Sequence, residues 1–327
     1  CRTDRCGLHR HSFTLFVLTN RPTTAGSPNQ YLLNLGESTN MNNAVRSSIK
    51  AIVVVLLLVC LGSLALAHEG HRTAAEVEIP EVTFTATAEG IDVPEELPFG
   101  LVTVSFDNQS EAPIMAIPGR FLEGVTRDDF FAALEAAGPM AALPLISLQG
   151  GTLAMPGTTF TVTYDLAAGE YVVINFAAEM PEMYFFTVAE PAEVVEFAAP
   201  EADVELKLVD FSFVMPITLD AGEQVWKVDN QGGQWHEMAL TRVDETLTTQ
   251  EIHELVTLMA AGAGPEGDPN LPQPNFLWAP MGNEEQAWFT LDLEPGKYVL
   301  TCFLPDMTSE EGHSHDQLGM VHIVTVE

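Results

Sequence analysis

Four side chains in this sequence could do chemistry together. Cys302, His315 and Met320 follow one another in the C-terminal stretch from Leu293 to Glu327, and His236 lies upstream as a second imidazole. A thiolate, two imidazoles and a thioether around one centre suit a copper ion that cycles between Cu(I) and Cu(II). Taken singly, each residue has a plainer role. A lone buried cysteine usually packs as a small hydrophobe, Met320 reads as core, and His236 reads as a strand-end histidine. The case rests on the set, with strand-like patterns before the Cys and after the Met. His313 offers an alternative to His315; spacing to Met320 favours His315.

The cysteine arithmetic sharpens this. The chain has four cysteines, Cys1, Cys6, Cys60 and Cys302. From Met41 the text reads as an export signal: Arg46 and Lys50, then an apolar run from Ala51 to Leu64, then Ala65-Leu66-Ala67 as a small-x-small cleavage pattern. On this reading residues 1–40 are upstream translation, 41–67 a signal peptide and 68–77 a polar tail holding His68 and His71. Cleavage removes three cysteines. Cys302 is then the one thiol of a protein exported to the periplasm or beyond, where an unpaired cysteine is a hazard or a ligand. No stable membrane span is expected after cleavage.

The elements that must position these residues read as β-structure. VTFTAT, LVTVSF, TTFTVTYDL, EYVVINF and YFFTV are β-branched or aromatic runs with partial alternation, punctuated by Gly and Pro. A helix capped by Thr126 interrupts them, with Phe130, Phe131 and Leu134 as its apolar stripe. After a linker at 190–201 the pattern starts again. DNQSEAPIMAI (107–117) matches DNQGGQWHEMAL (229–240), and YDLAAGEYVVINF (164–176) matches LDLEPGKYVLTCF (291–303). The second helix has Thr248 and Glu251 as a capping box and a stripe of Ile252, Leu255, Val256 and Met259. The expected fold is all-β: two tandem Greek-key β-sandwich domains, 78–189 and 202–327, each with one short inserted helix. Asn175 stands where the second copy has Cys302, and an apolar run near Ile114 stands where it has His236. The ligand set belongs to one copy only.

The second domain resembles the cupredoxins, the blue-copper family of plastocyanin and azurin. LEPGKYVLTC resembles the strand that delivers the family's cysteine, HDQLGMVHIVTV its His-to-Met run, and VDNQGGQWHEM the segment with the first histidine. The resemblance implies a cupredoxin-like sandwich in each half. It implies His236, Cys302 and His315 as strong ligands of one copper ion, with Met320 as the weak axial ligand. The sequence departs from the family in two places: FLPDMTSEEGHSH makes a long Cys-to-His loop, and Glu237 stands where the family has an Asn.

A formal charge of −33 argues against nucleic-acid binding, which needs clustered Lys and Arg. The expected function is one-electron transfer with a redox partner protein. Non-redox copper buffering or delivery and a metal-free binding module are the alternatives. No enzymatic activity is expected: His313-x-His315 is the sole His-x-His pair downstream of the expected signal, the loop has one Cys, and no Gly-x-Ser-x-Gly occurs.

Overall fold

The computed structural model describes residues 78–177, 182–193, 195–262, 270–309 and 312–327. The expected leader, the His68–His71 tail and the segment around Met180 lie outside them. No helix among the described residues is long and apolar enough to cross a membrane.

The first half contributes β1 (Glu81–Thr87), β2 (Gly90–Asp92), β3 (Glu96–Leu97), β4 (Gly100–Asn108), β5 (Ala116–Phe121), β6 (Ile146–Leu148), β7 (Thr159–Leu166), β8 (Gly169–Asn175) and β9 (Glu182–Val188). The second contributes β10 (Val204–Val209), β11 (Ser212–Val214), β12 (Thr218–Leu219), β13 (Gly222–Asn230), β14 (His236–Val243), β15 (Phe276–Met281), β16 (Gln286–Leu293), β17 (Gly296–Thr301) and β18 (Val321–Val326). Alternation places them. In β13, Gln224, Trp226, Val228 and Asn230 face inward while their neighbours face out, as period-two side chains must.

The strand orders expose the duplication. One sheet runs β11-β10-β13-β16-β7-β4-β1-β2, and two five-stranded sheets run β3-β9-β8-β5-β6 and β12-β18-β17-β14-β15. Outward from the β7–β16 seam, both directions give the same strands, β4, β1, β2 and their counterparts β13, β10, β11. Each half is a sandwich of four strands from the shared sheet against its own five. Phe84 meets Phe186 across the first sandwich at 6.2 Å between ring centroids. All-β tandem sandwiches are therefore what forms.

The halves share a core instead of touching lightly. Val162, Thr163 and Tyr164 of β7 pair antiparallel with Phe289, Trp288 and Ala287 of β16. Phe160 lies 6.0 Å from both Phe276 and Phe289, and Trp278 stacks on Phe289 at 4.5 Å. Gly150 lets Trp278 approach: its φ is 75°, and a Cβ there would lie 2.5 Å from the indole. Polar ties fix the register, with the Ser147 hydroxyl donating to Glu285 Oε1 at 2.6 Å and Gln286 donating to Asp165 at 2.8 Å.

The two longer helices sit where the caps place them, and a single further turn, Pro139–Ala142, follows the first. The first, α1 (Arg127–Ala137), has a reciprocal box between Thr126 and Asp129. The second, α2 (Thr249–Gly262), follows Thr248, whose N–H donates to Glu251 at 2.8 Å while Glu251 N–H donates to Thr248 Oγ1 at 3.3 Å. Ile252, Val256 and Met259 are buried as the stripe requires. Phe131 of the first stripe is instead exposed, packed on Phe130 and Phe185.

Candidate metal centre

His236 opens β14 directly after the β13–β14 loop, and the pairing with β15 slips between His236 and Met238. A bulge of this kind re-aims the side chain at the strand's end. Cys302 follows the last residue of β17, and Met320 immediately precedes β18. His315 lies in the turn between them. Three sheet-anchored positions and one turn thus converge at one end of the second sandwich.

The convergence is tight. One donor atom from each of His236, Cys302 and His315 lies within 4.8 Å of the other two, and all three side chains are fully buried. The two Nδ1 atoms are 3.1 Å apart, and Cys302 Sγ is 3.3 Å from His315 Nδ1. Two donors bound to one first-row ion at about 2.0–2.3 Å sit about 3–4 Å apart, so this N, N, S set fits a single metal. Met320 is buried; its backbone N–H donates to His315 O at 2.8 Å, and its carbonyl accepts from Cys302 N–H at 3.4 Å. His313 is not among the three: it is exposed, and its ring meets Gln317 Oε1 at 3.2 Å.

Both departures from the family pattern have a structural account. The long loop is an excursion. Pro305 and Ser314 form an antiparallel bridge, Asp306 N–H donates to His313 O at 2.8 Å, and His315 N–H donates to Leu304 O at 2.8 Å. The bridge closes off the extra residues and returns the chain beside Cys302. Met307 N–H ties the excursion to Gln234 Oε1 at 2.7 Å. Glu237, for its part, does bracing work: its N–H donates to Cys302 Sγ at 3.5 Å and its Oε1 accepts from Phe303 N–H at 3.1 Å. Burial holds the Glu237 carboxyl above the usual range, opposed by that Phe303 bond.

Burial also sets the protonation of the donors. It pushes the Cys302 thiol up to about 12, with the Glu237 charge adding to the rise. Burial, then the neighbouring His236, brings His315 down to about 4. His236 is lowered by burial against the pull of Asp210. At neutral pH both imidazoles are neutral, with lone pairs available, and a metal ion must displace the thiol proton.

Sequence reasoning missed Asp210 and Phe211, which form the β10–β11 turn. Asp210 Oδ1 lies 3.1 Å from His236 Nε2, and the Phe211 ring meets His315 edge-on at 5.3 Å. A signal was present in Gly232-Gly233, which replace Ser110-Glu111 of the first copy. Trp235 is half-buried beside His236 and lines an apolar cavity between the halves with Ile117, Phe176, Ala279 and Leu304.

No family model matches the chain, and no curated protein matches it. Among solved structures, a reduced auracyanin from Roseiflexus castenholzii is 17% identical, covering 38% of this chain and 94% of its own, at a TM-score of 0.27. A blue copper oxidase from Nitrosomonas europaea is 14% identical over 76% of this chain and 86% of its own, at 0.22. A copper-containing nitrite reductase from Thermus scotoductus is 12% identical over 80% and 71%, at 0.21. The fold is a tandem of cupredoxin-like sandwiches. Strand order carries that statement; the scores are too low to assign an activity. The expectation that the chain is not an enzyme is nonetheless corrected. Solved structures similar over three quarters of this chain include a multicopper oxidase, a blue copper oxidase and a copper-containing nitrite reductase, and a shared fold neither excludes nor assigns catalysis.

Proposed function

We propose that this chain is an exported mononuclear copper protein that passes single electrons. His236, Cys302 and His315 would be the strong ligands and Met320 the weak fourth one. The observation behind the proposal is the fully buried N, N, S set within 4.8 Å, found among the described residues in the second half alone. A bound copper ion would supply one-electron chemistry between Cu(I) and Cu(II).

The chain's own residues do the rest. Glu237 N–H directs a hydrogen bond at the sulfur, and its carboxylate pins Phe303, so the thiolate is held between β14 and β17. The sandwich presets the donors, which limits movement when the charge changes. Complete burial keeps bulk water from the imidazoles, which speaks against an open loading site of the buffer or delivery kind. Export rests on the Met41–Ala67 signal, and a redox partner protein completes the proposal.

Loading with Cu(II) followed by voltammetry tests it. We expect one reversible one-electron wave per chain together with an intense visible thiolate-to-copper band. Bound copper with no reversible wave would remove electron transfer and leave storage.

A further inference from the structure

We infer that Asp210 is a positioning residue for His236: its carboxylate accepts from His236 Nε2–H and so turns the Nδ1 lone pair toward Cys302 and His315. The inference builds on the copper reading but stands on geometry of its own. Asp210 Oδ1 is 3.1 Å from Nε2, and the same oxygen accepts from Gly233 N–H at 3.0 Å. A carboxylate on one ring nitrogen fixes which nitrogen carries the proton, leaves the other for a metal and raises its basicity.

The surroundings are shaped for this contact. A Cβ on Gly232 would lie 2.5 Å from His236 Nε2 and 2.6 Å from Asp210 Oδ1, so only glycine leaves room for the bond. Asp210 is delivered by a two-residue turn closed by the Val209–Ser212 pair. Its partner in that turn, Phe211, has φ 61°, a left-handed conformation that a bulky residue adopts at an energetic penalty. Strain of this kind persists where the surroundings hold it, and here the ring is seated edge-on against His315. The turn therefore contacts both imidazoles at once.

The first copy lacks each of these parts. Its corresponding turn is Ala88-Glu89, closed by Thr87 and Gly90. Ser110 and Glu111 stand at the positions of Gly232 and Gly233, and Ile114 at that of His236. Asp210, the two glycines and the imidazole occur together in one half, and the matching positions of the other hold Ala88, Ser110, Glu111 and Ile114. Simple hairpin closure does not require Asp210, since the first copy closes the same turn without it.

The test uses the full chain as wild type, Asp210→Asn and Asp210→Ala. In metal-free protein, ring nitrogen shifts from NMR report the tautomer. Wild type and Asp210→Asn are expected to hold His236 as Nε2–H, because Asn still offers an oxygen, whereas Asp210→Ala gives a mixture. In copper-loaded protein, Asp210→Asn is expected to lower Cu(II) affinity relative to Cu(I) by about tenfold, read as an upward shift in midpoint potential. Its visible band keeps its position, and Asp210→Ala shifts both. If Asp210→Ala leaves the tautomer and the affinity ratio as in wild type, the assignment is wrong. If wild type binds no copper, the copper reading fails by itself, and the tautomer comparison decides Asp210 alone.

Discussion

Asn175 and Cys302 occupy the same place in the two halves, and the structure gives them the same hydrogen bond. Met115 N–H donates to Asn175 Oδ1 at 3.1 Å, and Glu237 N–H donates to Cys302 Sγ at 3.5 Å. The brace behind them is shared as well. Asn108 donates to the carbonyls of Ala112 and Ala154, and Asn230 donates to those of Gln234 and Met281, all at 2.8–2.9 Å. Where the halves part is at Ile114 against His236, Ala88-Glu89 against Asp210-Phe211, and the loop after the eighth strand of each. The comparison teaches that the braced strand ends belong to the fold, while the donor set is an addition to one copy.

Putting the first copy's residues into the second breaks that comparison most sharply. Cys302→Asn should abolish copper binding, by titration, while metal-free stability stays within about 1–2 kcal/mol, because Asn Oδ1 can accept from Glu237 N–H. The reciprocal Asn175→Cys should add no second copper, since Ile114 offers no donor. Gly232→Ser, again the first copy's residue, should cost about 1–3 kcal/mol in chemical denaturation, because its Cβ meets His236 and Asp210. Ser110→Gly in the first half loses a half-exposed hydroxyl that meets Asn108 Oδ1 at 2.7 Å and Ala112 O at 2.9 Å and accepts from Ala112 N–H at 3.3 Å, and should cost only about 0.5–1.5 kcal/mol.

Glu237 gives a smaller and more selective effect. Glu237→Gln keeps an acceptor for Phe303 N–H and should change stability by less than about 1 kcal/mol; Glu237→Ala leaves that N–H unpaired and should cost about 1–2 kcal/mol. The gentlest probe is pH. Both imidazoles titrate lower in the folded protein than in the unfolded chain, so the unfolded chain binds more protons below pH 6.5. Metal-free stability should be full above about 6.5 and fall as pH drops toward about 4. His236→Ile should flatten that slope if the slope belongs to the second half.

Much of this was legible in the sequence because it depends on local rules. Period-two runs, the Thr126 and Thr248 caps and the repeat itself follow from neighbours in the chain. His236 and Cys302 could be read because each sits at a strand end, and His315 because it shares a short turn with Met320, which abuts β18. Asp210 could not, since its contact spans 26 positions and depends on how one hairpin lies over another. The loop after Cys302 looked too long because sequence distance does not show the Pro305–Ser314 bridge that shortens it in space. The shared core was hidden for a similar reason: Phe160, Phe276 and Phe289 have ordinary strand patterns, and only the β7–β16 seam brings them together.

The most direct test of the central claim is a Cu(II) titration of wild type beside Cys302→Ser, followed by visible absorption. One copper per chain with an intense thiolate-to-copper band in wild type, and no band in the variant, is the expected result. A colourless wild type, or equal binding by both proteins, would contradict it.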